Sequence, residues 1–232
     1  MLGRILRLPL AILPRDSTVR IVRGPLRGKK WIVGAASHGH WMGTYEVANL
    51  AEFHAEIAAG DTVYDVGANV GIYTLLASGK AGPSGKVYAF EPLARNLHYL
   101  NRHVALNRLQ NCCVLNVAVS DTEGIQKFSA ASWEYSMGRL SPDGELEVPS
   151  VTLDSCVYRE RQLRPPDVIK IDVEGAEVRV LQGASRAIGE YHPSVFVEIH
   201  GTQQHADCRD FLVARGYQLK EEYGRITALR HP

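Results

Sequence analysis

The stretch DTVYDVGANVGIY, residues 61–73, decides the fold of this chain. An apolar run, Thr62–Val66, leads into a turn with two glycines, and a helical pattern of apolar residues follows directly. In such a turn Gly67 permits a tight bend and a close approach of a ligand, while Gly71 lets the helix pack against the strand. A glycine turn between a strand and a helix is the context in which nucleoside sites occur. The stretch therefore predicts the first unit of a nucleoside-binding α/β sheet.

The sequence around this unit alternates between strand and helix patterns. Helices are predicted at 44–59, 72–78, 93–107, 176–188 and 208–215, and strands at 62–66, 87–90, 113–119, 168–172 and 195–199. Two last strands, 217–221 and 225–229, have the short connection typical of an antiparallel hairpin. Repeated alternation implies a mainly parallel sheet with helices on both faces. We predict an α/β, Rossmann-like fold whose seven-stranded sheet ends in this antiparallel hairpin.

Length and charge predict one domain with a basic arm before it. The chain has 232 residues, which suits a single α/β domain. Residues 1–30 hold eight lysines and arginines and one acid, although the whole chain carries only +1. We expect a basic arm over 1–43 that is solvated; the alternatives are that it meets an anionic surface or substrate, or joins copies into a homo-oligomer. The domain is expected over 44–232.

Residues 122–151 interrupt the alternation with turn residues and aromatic side chains, among them Trp133 and Tyr135. A loop of this length in a compact domain is usually functional or disordered, and its aromatic residues argue against disorder. We predict that these residues form a structured insertion near the active site, on the side where the substrate binds.

The composition excludes several classes of protein. A charge near zero gives no overall field for nucleic acid, so a nucleic-acid partner is not expected. The four cysteines lack metal-site or disulfide spacing, and the apolar run near the N-terminus is too short for a signal or a transmembrane helix. We expect a cytoplasmic protein.

An acid follows the next strand. Twenty residues after Gly71 that strand ends in Glu91-Pro92, where a carboxylate can accept hydrogen bonds from ribose hydroxyls. A dinucleotide fingerprint would have glycine in place of Asn69, and Asp65 would repel a pyrophosphate but accept a hydrogen bond from an ammonium group. S-adenosylmethionine has that ammonium, a ribose and no phosphate. The pattern favours this ligand, with Ser120 at the third strand end as a further contact.

A second unusual segment, IKIDVEGAE at 169–177, ends a strand in charged residues. Ligands of open α/β sheets lie beyond the carboxyl ends of the strands. Asp172 is therefore expected near the cofactor and Glu174 near whatever faces the methyl group. Lys170 is interpreted as an ion-pair partner of a neighbouring carboxylate. Glu177 is interpreted as an acid in the first turn of a helix, stabilised by the helix dipole.

With these pieces in view, the chain resembles the FkbM family of methyltransferases. The matching segments are GTYE (43–46), DVGANVG (65–71), FEP (90–92), IKIDVEGAE (169–177), LQGA (181–184) and VFVEIH (195–200). The resemblance implies a class-I methyltransferase fold, S-adenosylmethionine as cofactor, a small-molecule hydroxyl acceptor (a sugar, a polyketide or a related metabolite), and Glu46 among the cofactor-binding residues.

Three residues are candidate bases for the acceptor hydroxyl: Glu174, Glu198 and His200. Strand alternation places Glu198 and His200 on one face. Asp172 and Glu198 could instead hold a divalent metal ion, but a direct base is favoured because the sequence shows no third ligand.

Two alternative functions remain open at this stage. One is a nicotinamide-dependent oxidoreductase, disfavoured by the missing third glycine and by Asp65. The other is a non-catalytic module that binds S-adenosylmethionine.

Overall fold

A computed structural model describes residues 13–130, 138–159, 162–222 and 224–230. The strands are β1 (Thr18–Arg20), β2 (Lys30–Ile32), β3 (Thr62–Val66), β4 (Lys86–Phe90), β5 (Cys112–Leu115), β6 (Ala118–Val119), β7 (Gly124–Ala130), β8 (Gly138–Leu140), β9 (Leu146–Val151), β10 (Val168–Ile171), β11 (Ser194–Glu198), β12 (Leu219–Glu222) and β13 (Arg225–Ala228). The helices are α1 (His38–Met42), α2 (Val47–Glu56), α3 (Ile72–Ala81), α4 (Ala94–Leu106), α5 (Leu153–Tyr158), α6 (Glu177–Gly183), α7 (Ser185–Tyr191) and α8 (Thr202–Val213).

The main sheet has seven strands in the order β12-β13-β11-β10-β3-β4-β5. The five strands from β11 to β5 run parallel, while β13 is antiparallel to β11 and to β12. The predicted mainly parallel sheet with an antiparallel terminal hairpin is confirmed. Because the parallel strands end at the same edge, Val66, Phe90 and Ile171 bring their following loops together there.

Apolar side chains cover both faces of this sheet. In β3, Val63 belongs to one core cluster, with α2 and α3, whereas Tyr64 and Val66 belong to the other, with α6, α7 and α8. Successive strand residues point to opposite faces, so both faces of β3 are buried. This explains why the strands of the sheet read as nearly continuous apolar runs.

The described part of the N-terminal segment is packed into the domain. Trp31, Ile32 and Ala35 are fully buried in the cluster that holds α2 and α3. The Trp31 ring stacks on His103 of α4 at 4.0 Å, and the backbone N–H of Ile32 donates to His103 Nε2 at 3.0 Å. The interpretation of 1–43 as a solvated arm is therefore wrong for residues 13–43.

The insertion forms a sheet of its own. Its strands are ordered β6-β9-β7-β8, and it starts from β6, which the sequence pattern had joined to β5. The chain turns between the two strands, because the N–H of Val117 donates to the carbonyl of Leu115. Trp133 and Tyr135 lie outside the described residues.

The helix predicted over 176–188 is two helices that meet at Ala184. Asp154 of α5 explains the break, because its carboxylate accepts hydrogen bonds from the N–H groups of Arg186 and Ala187 at 2.9 and 2.8 Å. A carboxylate from elsewhere in the chain thus caps α7. No helix in the described ranges has the length and apolar character to cross a membrane.

Gly183 and Gly189 form a matched pair for testing the packing between α6 and the insertion. A Cβ on Gly183 would overlap the backbone carbonyl of Ser120, whereas a Cβ on Gly189 in α7 meets nothing within 4 Å. We expect Gly183→Ala to lower the free energy of unfolding by about 1–3 kcal/mol, since backbone must move. Gly189→Ala should raise it by about 0.4–1 kcal/mol through helix propensity and lost unfolded-state entropy. Urea denaturation measures both, and equal stability of the two variants would contradict the close contact.

Candidate active site

The glycine turn holds the ends of three neighbouring strands together. The backbone N–H groups of Gly67 and Ala68 both donate to the carbonyl of Phe90, at 3.0 Å. Gly67 has left-handed backbone (φ 73°), and a Cβ there would overlap the carbonyl oxygen of Asp172. Glycine is thus required for two reasons, the backbone angle and the close contact with the loop after β10.

The Glu91 carboxylate is fixed beside this turn and is only 4% exposed. Its Oε2 accepts from the backbone N–H of Asn69 at 2.8 Å, and its Oε1 accepts from the N–H of Leu93 at 2.8 Å and the side-chain amide of Asn96 at 3.3 Å. Burial raises the pKa of Glu91 to about 7, although these hydrogen bonds act in the opposite direction.

A cleft of about 560 Å³, counting its solvent-filled mouth, opens next to this carboxylate; we call it the Glu91 cleft. Five of the predicted cofactor-binding residues line it: Gly67, Asn69, Glu91, Pro92 and Asp172. Its other wall is largely apolar and comes from the loop after β5 and from the insertion: Val117, Ala118, Val119, Phe128, Gly138 and Leu140. The described part of the insertion therefore borders this cleft, while its predicted role at the acceptor stays a prediction.

Ser120 does not reach the cleft. It is fully buried, and its hydroxyl donates to Asp121 at 2.9 Å. The segment that we expected to frame a nucleobase is the right one, but the residues that face the cleft are the three before Ser120.

Asp65 lies beneath the turn rather than at its surface. It is fully buried, it accepts a hydrogen bond from the Thr74 hydroxyl, and its Oδ1 is 3.4 Å from Lys170 Nζ. This position corrects the predicted direct contact of Asp65 with an ammonium group of the ligand, because the carboxylate already has internal partners. The predicted ion-pair role of Lys170 is confirmed.

A second cleft adjoins the first, and we call it the Tyr45 cleft. The two clefts share Asn69, Asp172 and Glu174, and Gly71 lines the second one. Its far wall comes from the N-terminal segment and includes Arg15, residues 34–37, His40 and Tyr45. The segment predicted as an arm is thus one wall of a cleft that meets the Glu91 cleft at Asp172.

His200 lies among three carboxylates that follow β10. Its Nδ1 is 3.0 Å from Glu177 Oε1, and its Nε2 is 3.3 Å from Glu174 Oε2 and 4.0 Å from Asp172 Oδ1. The hydrogen bond that His200 donates to Glu177, together with the charges of Glu174 and Asp172, outweighs partial burial and raises the pKa of His200 to about 9. At neutral pH His200 therefore already carries its proton in this arrangement.

Glu177 is the member of this group that the sequence did not reveal. It is fully buried, and its Oε1 accepts from the N–H of Gly175 at 2.8 Å as well as from His200. Its Oε2 has no hydrogen-bond partner within the described part of the chain. Its interpretation as an ordinary first-turn acid was incomplete, since three acids within six residues after a strand were a signal of a shared site.

Glu198 and Glu46 are further acids close to Asp172. Burial raises the pKa of the half-buried Glu198, and the charges of Asp172 and Glu46 raise it further. Glu46 accepts a hydrogen bond from the Tyr73 hydroxyl at 2.7 Å. The candidate bases Glu174, Glu198 and His200 are thus gathered around Asp172. Glu174 lines both clefts, whereas Glu198, His200 and Glu46 line neither.

The expected pair of metal ligands, Asp172 and Glu198, is not the group that the structure assembles. Asp172, Glu174 and His200 have one ligand atom each within 4.8 Å of one another. The ends of both strands contribute to this group, but it also contains Glu174, and its member after β11 is His200 rather than Glu198. Strand alternation could not show this, because Glu174 sits in a left-handed turn (φ 55°).

The strand order, the glycine turn and the acid after β4 together define a class-I methyltransferase fold. A solved structure of this fold, the methyltransferase FkbM from Methylobacillus flagellatus, superposes with a TM-score of 0.54 at 19% identity, covering 83% of this chain and 55% of that one. The model of the methyltransferase FkbM domain matches residues 65–219. The chain belongs to the FkbM family of S-adenosylmethionine-dependent methyltransferases.

Two relatives of known activity are similar to the chain. The 31-O-demethyl-FK506 methyltransferase FkbM of Streptomyces tacrolimicus is 29% identical over 181 residues, which is 62% of this chain and 67% of that protein. The hexuronic acid methyltransferase AglP of Haloferax volcanii is 29% identical over 150 residues, which is 62% of this chain and 58% of AglP. The chain thus spans somewhat over half the length of AglP and of the Methylobacillus structure.

The raised pKa of Glu91 predicts a pH dependence of stability. In the unfolded chain Glu91 ionises near 4.5, whereas in the folded protein it ionises at about 7. The unfolded state therefore loses its proton first, and the contribution of Glu91 to stability falls as pH rises from 4.5 to 7. We expect the free energy of unfolding of the native protein, relative to Glu91→Gln, to decrease by about 3 kcal/mol across that range. Urea titrations at several pH values measure it, and a difference that is constant with pH would contradict the assignment.

Proposed function

We propose that the chain transfers a methyl group from S-adenosylmethionine to a hydroxyl group of a small molecule. The observation that carries this proposal is the junction of the two clefts: a cleft suited to a nucleoside opens onto a second cleft, and the acids Asp172 and Glu174 line both. A donor in the first cleft can present its methyl group to an acceptor in the second.

The residues of the Glu91 cleft fit the donor. The fixed Glu91 carboxylate is an acceptor suited to ribose hydroxyls, and the apolar wall formed by Val117, Val119 and Leu140 suits a flat base. Asp65 supports this site indirectly, because it holds Lys170, whose Nζ donates to the Gly67 carbonyl at 2.8 Å.

The donor supplies a methyl group on a positively charged sulfur, which an oxygen nucleophile attacks in line. The protein contributes alignment, since holding two reactants in the correct geometry can supply much of the acceleration. Gly67 and Asn69 line the donor side, and the Tyr45 cleft holds the acceptor.

The hydroxyl proton has to go to a base, and of the three candidates we assign this role to Glu198. His200 is ion-paired with Glu174 and already protonated at neutral pH. Glu198 lies beside Asp172, and its raised pKa improves it as a proton acceptor, because a base works best when its pKa is near the working pH.

The relatives support a hydroxyl-bearing acceptor. One is named for the 31-O position of FK506 and the other for a hexuronic acid. The acceptor wall of the Tyr45 cleft includes Arg15 and Arg95, which suits an acceptor that also carries a carboxylate or other anionic group.

The test is a transfer assay with donor labelled in the methyl group, against sugars, uronic acids and polyketide alcohols. We expect label in an ether product and release of S-adenosylhomocysteine. Label on nitrogen or carbon would overturn O-methylation. Tight donor binding without transfer to any acceptor would instead favour the non-catalytic module. Membership of a methyltransferase family leaves no support for the oxidoreductase alternative.

Glu91→Ala should weaken binding of S-adenosylmethionine at least tenfold. A hydrogen bond to a charged group is worth about 1.5–3 kcal/mol, and about 1.4 kcal/mol corresponds to a tenfold change. Isothermal calorimetry measures the affinity, and Glu123→Ala, an exposed acid on the insertion, is the matched control. Equal affinities of the two folded variants would remove Glu91 from the donor site.

Glu198→Gln should lower kcat by about 10²–10⁴-fold while donor affinity stays unchanged, because a missing general base affects the chemical step alone. The control is Glu221→Gln, which changes an acid in the terminal hairpin of the same sheet. A Glu198→Gln enzyme with normal kcat would show that the proton leaves by another route.

A further inference from the structure

We propose that Asp172, Glu174 and His200 form a binding site for a divalent cation at the junction of the two clefts. The site rests on its own geometry, while its catalytic use rests on the proposed methyl transfer to a hydroxyl.

The three ligand atoms are spaced as the ligands of one ion are. His200 Nε2 is 3.3 Å from Glu174 Oε2 and 4.0 Å from Asp172 Oδ1, and all three atoms lie within 4.8 Å of one another. Ligands bound at about 2.1 Å on adjacent positions of an ion are about 3 Å apart. An ion therefore fits with shifts of less than about 1 Å of side chains that are each about one-third exposed. The ion takes the place of the proton on His200 Nε2, and that proton is released to solvent.

The support behind His200 is an independent observation. The Nδ1 atom of His200, which is not needed for the cation, is held by the fully buried Glu177 at 3.0 Å. A carboxylate on the second nitrogen fixes the ring and the tautomer of metal-binding histidines. Moreover, Glu177 Oε2 is buried without a hydrogen-bond partner in the described ranges, and a nearby cation would offset the cost of that buried charge.

The balance of charges around the junction also favours a bound cation. Asp172, Glu174, Glu177 and Glu198 lie near one another. Lys170 lies 3.6 Å from Asp172, and it already neutralises the buried Asp65. The acids at the junction therefore exceed the permanent positive charge next to them.

The ligand set indicates which ion fits. Carboxylate oxygens are ligands that Mn²⁺ prefers, and an imidazole nitrogen is a ligand that the later first-row ions prefer. The site has two of the former and one of the latter. The site opens into both clefts, which leaves positions for water or an acceptor hydroxyl. There the ion would lower the pKa of the hydroxyl, and Glu198, which is not a ligand, remains available to take the proton.

The experiment measures Mn²⁺ binding to the chelator-treated protein in the absence of donor, by loss of the electron paramagnetic resonance signal of free Mn²⁺. We expect one ion per chain, and at least tenfold weaker binding in His200→Ala and in Glu174→Gln. His205→Ala is the matched control, because His205 pairs with Glu221 in the terminal hairpin, away from the junction. Glu177→Gln should weaken binding about 10–100-fold, as loss of a supporting carboxylate typically does.

Two results would overturn the site. One is no binding at millimolar Mn²⁺, and the other is binding of equal strength in the control and in both ligand variants. If His200→Ala loses its thermal transition, Glu174→Gln carries the test, since it keeps the size of the side chain. Donor affinity is measured on the same samples: intact donor binding without Mn²⁺ binding rejects the cation site alone, whereas loss of donor binding in the native protein rejects the proposed function.

Discussion

The buried ammonium of Lys170 is the interaction on which the site depends. Only 6% of Lys170 is exposed, and its Nζ donates to the Gly67 carbonyl at 2.8 Å while lying 3.4 Å from Asp65 and 3.6 Å from Asp172. Burial alone would lower the pKa of Lys170, but the two carboxylates outweigh burial and raise it. A buried charge is tolerated only when it is paired, so the ends of β3 and β10 and the glycine turn are held in one arrangement. Removing this cation would leave Asp65 uncompensated in the core.

That arrangement explains why two clefts meet where they do. The turn can approach the loop after β10 only because Gly67 has no Cβ, and the contact places Asn69 next to Asp172 and Glu174, which line both clefts. A donor methyl group and an acceptor hydroxyl can therefore share a small volume of space bounded by acids. The same constraint explains the correction at Asp65: strand alternation gives the face of a residue, but its depth below the turn depends on a lysine from another strand.

The sequence correctly predicted the structural features that depend on local pattern. It failed for the features that depend on contacts between segments far apart in the chain. The parallel sheet, the terminal hairpin, the glycine turn and the position of Glu91 follow from apolar periodicity and spacing. The burial of Trp31 does not, because a short apolar run among basic residues looks like a solvated arm until α4 supplies His103 as its partner. The break between α6 and α7 depends in the same way on Asp154, more than thirty residues earlier in the chain.

The acidic segment after β10 also shows why the sequence alone could not predict the arrangement of the site. In sequence, Asp172, Glu174 and Glu177 are interchangeable acids, and the helix dipole is a sufficient reason for the last of them. In the fold, the left-handed residues Glu174 and Gly175 turn the chain so that Glu174 faces the junction while Glu177 points inward to His200. Glu177 is fully buried and Glu174 is not, so one acid contacts the histidine from the core and the other contacts it from the exposed side of the junction. The chemistry of the site therefore depends less on which acids are present than on this one turn. The turn determines which acid supports His200 from the core and which acid lies at the junction.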